Sequence, residues 1–339
     1  MKAVTVSAPH VIAFADQPEP KDLSGGEVLI RVRAGGICGS DLHIFHGTNP
    51  FATYPRVIGH EFAGEVVATG ADVTHLAVGD KVAVDPVVSC GSCYACSIGR
   101  PNVCRHLQVL GVHRDGGFQE LIAVDGAKAH KLPSDIPWEH AALVEPFTIA
   151  AQSASQGRLS GSDTVLICGA GPIGLVLLQV AKMHGARTVV MDILDSRLQR
   201  AAALGADHTI NSRSQDLVAE MLRFTDGNGA SLIFEATGNI KVMEQCIREI
   251  AAIAGRVVIL GMGTDVLNIA PVDFMRRELE VIGTRLSLNK FPQVVEWFRD
   301  GKVNPAGIIS HVFPASEIQA AIDLTGNPGQ DVCKIVLTF

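Results

Sequence analysis

The stretch DTVLICGAGPIGLVLLQVA, residues 163–181, decides how this chain is read. Apolar residues run from Thr164 to Ala181, but Gly169, Gly171, Pro172 and Gly174 interrupt them, so the segment reads as strand, turn and helix rather than a membrane span. A G-x-G-x-x-G turn between a strand and a helix is the fingerprint of a dinucleotide site. Gly169 permits the tight turn, Gly171 lets a pyrophosphate approach the backbone, and Gly174 lets helix and strand pack closely. Pro172 and Ile173 open the helix, whose N-terminal N–H groups and dipole favour a bound anion. An ordinary βα turn is the plainer alternative.

Asp192 ends the next strand, at about the ~20-residue offset expected of the carboxylate that binds the adenosine ribose. It would accept hydrogen bonds from both ribose hydroxyls and repel a 2′-phosphate, so the cofactor reads as NAD. Arg197 nearby would accommodate a phosphate and leaves tolerance of NADP open. The plainer reading of Asp192 is a helix cap.

Around this turn, strand and helix patterns alternate. Strands are expected at Asp163–Cys168, Thr188–Asp192, Ser231–Glu235 and Arg256–Leu260, and helices at Ile173–His184, Ser196–Leu204 and Lys241–Ala252. That alternation predicts an α/β Rossmann domain, a doubly wound parallel sheet with helices on both faces, over residues 147–285. Residues 1–146 read as β-rich, with runs such as Glu27–Val32, Gly64–Ala68 and Lys81–Val84 between Gly, Pro and Asp turns. Residues 286–339, with a helix at Phe291–Arg299 and a terminal apolar run Cys333–Phe339, are assigned to that first domain.

A second signal is VVSCGSCYACSIGRPNVC, in which Cys90, Cys93, Cys96 and Cys104 follow the spacing C-x2-C-x2-C-x7-C. Such short intervals let four thiolates converge on a tetrahedral Zn²⁺, and a four-sulfur site is closed and structural. The lobe spans about residues 86–105. Two disulfides are the alternative, and they need an oxidising compartment. The start, MKAVTVSAPHVIAF, carries no apolar export segment, so a cytoplasmic protein with reduced thiols is expected.

The chain has 339 residues, 47% of them hydrophobic and 19% charged, which suits a soluble enzyme of two domains. A net charge of −7 and a pI near 5.9 argue against nucleic acid or an anionic membrane as partner.

Cys38 in GGICGSDLH, His60 and Glu61 in VIGHEFAG, and Glu145 in VEPF each have a bland explanation alone: a buried thiol, a core imidazole, surface carboxylates. In a chain that also carries the cysteine lobe and the glycine turn, they suit an open zinc site. In this order, with GAGPIG, they resemble the zinc-dependent medium-chain dehydrogenase/reductases across nearly the whole length. CGSDLH, GHE and VEPF resemble the sorbitol and threonine dehydrogenase branch. The runs NPFATYPRVIGHEF, DPVVSCGSCYACSIGRPNVC and GVHRDGGF are most similar to bacterial hexonate (L-gulonate or L-galactonate) 5-dehydrogenases and starvation-sensing dehydrogenase-like proteins.

That resemblance implies a GroES-like catalytic domain, two zinc ions per subunit, NAD, a polyhydroxy substrate and a homodimer or homotetramer. Cys38, His60 and Glu61 would bind catalytic zinc, with Glu145 a ligand or an exchanging neighbour. Zn²⁺ with one thiolate, one imidazole and one carboxylate is neutral, and a second carboxylate would leave it negative. One glutamate is therefore expected to coordinate during the chemical step. Ser40 would take the substrate proton and His43 pass it to solvent, while Asp41 would hydrogen-bond the ring of His60. Arg285 in GTRLSLNKF would bind polar substrate oxygens, with Lys290, Arg56, Arg114 and His113 as lesser candidates. Thr237, Gly238, Leu260, Gly261 and Thr284 would flank the cofactor. The expected reaction is oxidation of a secondary hydroxyl of a sugar acid at C5. A polyol or L-threonine 3-dehydrogenase is the enzymatic alternative, and an NAD-binding sensor the non-enzymatic one.

Overall fold

The computed structural model describes residues 1–20, 22–327 and 330–339. Two compact units emerge: Met1–Thr148 with Leu288–Phe339, and Ile149–Ser287.

The second unit is built on a six-stranded, all-parallel sheet among the described residues. Its order is His208–Asn211, Arg187–Asp192, Thr164–Cys168, Ala230–Glu235, Ala251–Ile259, Glu280–Gly283. Counted along the chain this is 3-2-1-4-5-6, the doubly wound order. Parallel strands covered on both faces are apolar throughout, and Val165, Leu166, Ile167 and Cys168 are all fully buried. The helix Pro172–Met183 follows the central strand directly, so the glycine turn sits at that strand's C-terminal end.

Two details depart from the sequence expectation. The helix expected through Ala252 runs from Ile240 to Gln245, continues as a π-helical turn Cys246–Ile250, and stops there. Ala251 instead pairs with Ala230 and starts the next strand. Pairing in the sheet outweighs the helix propensity of the two alanines at 251 and 252. Strands His208–Asn211 and Glu280–Gly283 had no local signal strong enough to be read.

In the first unit, a mostly antiparallel sheet, seven-stranded among the described residues, centres on Glu27–Gly36. Along this strand Val28, Ile30 and Val32 face the core and Arg31 is exposed, the alternation expected of a sheet with one wet face. They pack with Phe62, Val66, Val82, Val84 and Ile122. The C-terminal run becomes strand Lys334–Thr338, which pairs with Glu27–Gly36, so the tail does return to this unit. Among the described residues no helix is long and apolar enough to cross a membrane.

Candidate active site and metal centres

The glycine turn has the geometry its spacing implies. Gly169 has φ +97°, a left-handed conformation that suits glycine. A Cβ on Gly174 would lie 1.8 Å from the carbonyl oxygen of Gly169, whereas one on Gly171 would meet no atom within 4 Å. The turn is therefore closed at Gly174 and open at Gly171. Asp192 is buried at the neighbouring strand end. Its Oδ2 accepts from the Ala170 N–H (2.8 Å), and its Oδ1 from the N–H groups of Ile193 (2.7 Å) and Leu194 (3.1 Å). Arg197 Nη1 stands 3.7 Å from Oδ2. Asp192 thus braces the turn.

Glu235, which sequence reasoning passed over, organises the other cofactor candidates. Fully buried at its strand end, it accepts from the Thr237 N–H (2.9 Å), the Thr237 hydroxyl and the Gly238 N–H (3.2 Å). Its main-chain oxygen accepts from Leu260 (2.9 Å) and Gly261 (3.0 Å). A glutamate closing the apolar run SLIF was the available signal. Thr284 donates its N–H to Ile259 (3.3 Å), and Arg285 follows it, exposed.

Cys90, Cys93, Cys96 and Cys104 converge, with all four sulfurs within 4.8 Å of one another and none in a disulfide. Individual S···S separations are 3.4 Å (Cys104–Cys90), 3.6 Å (Cys93–Cys96) and 3.7 Å (Cys93–Cys104). A tetrahedron with Zn–S bonds of about 2.3 Å has edges of about 3.8 Å, so this cage fits the ion. Backbone N–H groups of Ser92 and Cys93 pull the Cys90 thiol down to about 5, whereas burial and the Cys93 thiol push Cys96 up to about 11, so the four sulfurs do not ionise alike by themselves.

In the second cluster the Cys38 sulfur, a ring nitrogen of His60 and a carboxylate oxygen of Glu61 lie within 4.8 Å of one another. Cys38 precedes the helix Gly39–Phe45, and His60 and Glu61 lead into strand Glu61–Thr69. Glu145, in the first turn of helix Val144–Gln156, is buried nearby but outside this close triad. Burial pushes its carboxyl up to about 8, against the pull of His60. Burial also opposes charge on His60, but Asp41, Cys38 and Glu145 outweigh it and lift the imidazole well above its usual value. So much negative potential in a dry site suits a cation.

Ser40 Oγ lies 3.4 Å from the Cys38 sulfur. His43, one turn on and exposed, shares a 2.9 Å hydrogen bond between Nδ1 and Thr48 Oγ1. The expected bond from Asp41 to the ring of His60 is not made. Asp41 Oδ1 stands 3.7 Å from His60 Nδ1, beyond hydrogen-bond range. Its oxygens accept instead from the N–H groups of Cys38 (2.9 Å) and Gly59 (3.1 Å). Asp41 therefore fixes the two backbone segments that present Cys38 and His60, and acts on the ring through charge.

The structure adds Lys334. Its buried ammonium donates to both Glu61 oxygens at 2.8 Å and to the Ile37 carbonyl at 3.0 Å. Burial opposes its charge, but Glu61 and Cys38 more than offset this and raise its pKa above the ordinary lysine value. A lone lysine inside the apolar run CKIVLTF was the signal that could have found it. Of the lesser substrate candidates, Arg56 is engaged by Asp115 (3.0 Å) and Thr53 (2.7 Å), and His113 accepts from the Val109 N–H (3.1 Å). Lys290 stands at the N-terminus of helix Phe291–Arg299.

Residues 24–134 match the alcohol dehydrogenase GroES-like domain, and residues 172–300 the zinc-binding dehydrogenase family. The chain is 42% identical to the starvation-sensing protein RspB of Escherichia coli K12, covering 100% of this chain and 99% of that one. It is 34% identical to the L-galactonate-5-dehydrogenase of the same organism, over 95% and 94% of the two chains. A crystal structure of the RspB alcohol dehydrogenase of E. coli CFT073, complexed with NADH, superposes with TM-score 0.94 at 40% identity, covering 100% and 99%.

Proposed function

The chain belongs to the zinc-type medium-chain dehydrogenase/reductase family, and on that premise we propose that it oxidises a secondary hydroxyl of a sugar acid, at C5 of a hexonate, with NAD as acceptor. The observation that carries the chemistry is the buried thiol–imidazole–carboxylate cluster of Cys38, His60 and Glu61 with Ser40 beside it. The similarity to L-galactonate-5-dehydrogenase supports the substrate.

Cys38 and His60 would hold a catalytic Zn²⁺ with a single glutamate at a time, Glu61 or Glu145, and the four cysteines of the lobe a structural one. Bound zinc would supply a Lewis acid that lowers the pKa of an alcohol, and NAD a two-electron acceptor. The balance is one alcohol and NAD⁺ giving one ketone, NADH and a proton. Ser40 Oγ accepts the hydroxyl proton, and His43, three residues along the same helix, releases it to solvent. Gly169, Gly171, Pro172, Ile173 and Gly174 cradle the pyrophosphate. Asp192 takes the adenosine ribose with Arg197 beside it. Thr237, Leu260, Gly261 and Thr284 line the cofactor, and Arg285 pairs with the substrate carboxylate.

We further propose that the chain assembles as a homodimer or homotetramer. Ile253, Met262, Val266 and Met275 of the second unit are 77–90% exposed, and a second copy of the chain would cover them. Cys90, Cys93, Cys96 and Cys104 as thiols rather than disulfides suit a reducing, cytoplasmic setting.

The test is to follow NADH absorbance with zinc-loaded protein, NAD or NADP, and a panel of hexonates, hexitols, L-threonine and simple alcohols. Reduction of NAD with hexonates alone supports the reading. Turnover of hexitols or threonine alone moves the substrate, and no turnover with any of them removes the hexonate assignment. Light scattering on the eluting protein checks the assembly, and a monomer at micromolar concentration would refute it.

A further inference from the structure

Glu61 and Lys334 are 273 positions apart, and the sheet of the first unit brings them together. Gly36, at the end of the central strand, pairs with Glu61 on one side and with Val336 on the other. A Cβ at Gly36 would stand 2.3 Å from Glu61 Oε2, so the glycine makes room for the carboxylate. Lys334 then grips it. The ammonium has three N–H donors, and the two Glu61 oxygens and the Ile37 carbonyl offer three acceptors at 2.8, 2.8 and 3.0 Å. With Lys334 2% and Glu61 1% exposed in their side chains, water does little to screen the pair.

We propose that Lys334 is a positioning residue that tethers Glu61 and takes up its charge, so that Glu61 is a weak, releasable ligand at the Cys38–His60 metal centre. The proposal rests on the zinc site read above. Cys38, Asp41, Glu61 and Glu145 crowd the same buried space, and each full negative charge donated to the ion weakens its pull on an alcohol. An ammonium holding both oxygens of one carboxylate lowers that donation without removing the group. Glu61 would then help to hold the ion without competing fully with a substrate oxygen.

Lys334→Met keeps the length and apolar stem and removes the charge. The freed carboxylate then has the ion as its partner. A charge change at this distance is worth well over a factor of ten even at an effective dielectric of about 20. Zinc at this centre should resist at least tenfold more competing chelator than in the parent protein. In cobalt-substituted protein, the visible bands of the Cys38 centre, isolated by subtracting the spectrum of Cys38→Ser, should shift. Turnover should fall at least tenfold, and Lys334→Arg should restore spectrum, retention and rate.

Unchanged cobalt bands and chelator resistance in folded Lys334→Met would overturn the proposal. Should that variant not fold, Glu61→Gln decides. A tethered, weakly donating carboxylate predicts zinc retention within about threefold of the parent, and a loss of tenfold or more overturns it. Metal retention and cobalt absorption are read without substrate, so a failure to oxidise any alcohol leaves this test standing.

Discussion

One added methyl group, placed at either of two glycines three residues apart, should separate folding from cofactor binding. At Gly174 a Cβ would lie 1.8 Å from the Gly169 carbonyl oxygen, against the 3.0 Å that real contacts respect. The turn or the helix must move by about 1.2 Å, the difference between those distances. Overpacking of a tight core site costs roughly 1–3 kcal/mol. At roughly 2–4 °C per kcal/mol for a domain of this size, Gly174→Ala should melt about 2–12 °C lower. At Gly171 the same methyl meets nothing within 4 Å, and the backbone φ of −72° is ordinary for alanine. Exchanging glycine for alanine at this helix N-cap costs less than about 1 kcal/mol. The methyl nevertheless fills the space through which a pyrophosphate would reach the helix N-terminus. Gly171→Ala should therefore melt within a few degrees of the parent yet bind NADH at least tenfold more weakly, or ~1.4 kcal/mol. Titrating NADH fluorescence and thermal melting on both variants reads the two effects apart. Parent-like NADH affinity in Gly171→Ala would refute the phosphate assignment, and a parent-like melt in Gly174→Ala would refute the packing argument.

Cys93→Ser should lower the melting temperature and release one zinc, whereas Cys38→Ser should abolish turnover in a protein that still melts cooperatively; the reverse ranking, by metal analysis and calorimetry, would exchange the two sites. Asp192→Ser removes the negative charge at the strand end, and the ratio of kcat/KM for NADP over NAD should rise at least tenfold; an unchanged ratio would show that Asp192 only braces the turn. Burial holds the imidazole of His130, stacked on Phe291, at about 4 rather than 6.5. The unfolded chain therefore binds a proton that the folded one refuses, so stability is complete above about pH 6.5 and drains away toward pH 4, by up to about 3 kcal/mol. His130→Gln should flatten that acid slope in melting curves between pH 7 and 4.5, and equal slopes would sink the assignment.

Glycine motif, cysteine lobe and strand-end aspartate were legible because each depends on spacing within a short stretch. Those intervals set chain geometry before any tertiary packing, and the residue types admit few other uses. The GroES-like and doubly wound units followed from element alternation and from resemblance. What eluded reading was decided by partners elsewhere. The helix through Ala252 was a reasonable local expectation, but Ala251 finds a strand partner in Ala230 and the helix gives way to the sheet. Asp41 was expected to hold the His60 ring and instead holds the backbone at Cys38 and Gly59, because those N–H groups are closer.

By itself, then, the sequence determined which groups are available to this protein: a glycine-rich turn, four closely spaced sulfurs, and a thiol, an imidazole and carboxylates. Only the tertiary structure decided the charge those atoms carry together. Lys334 reaches Glu61 because a C-terminal strand returns to the central sheet, and no interval of 273 residues can be read as a neighbour. Local spacing fixes ligand chemistry, whereas the electrostatics of a buried site belongs to whatever the fold packs against it.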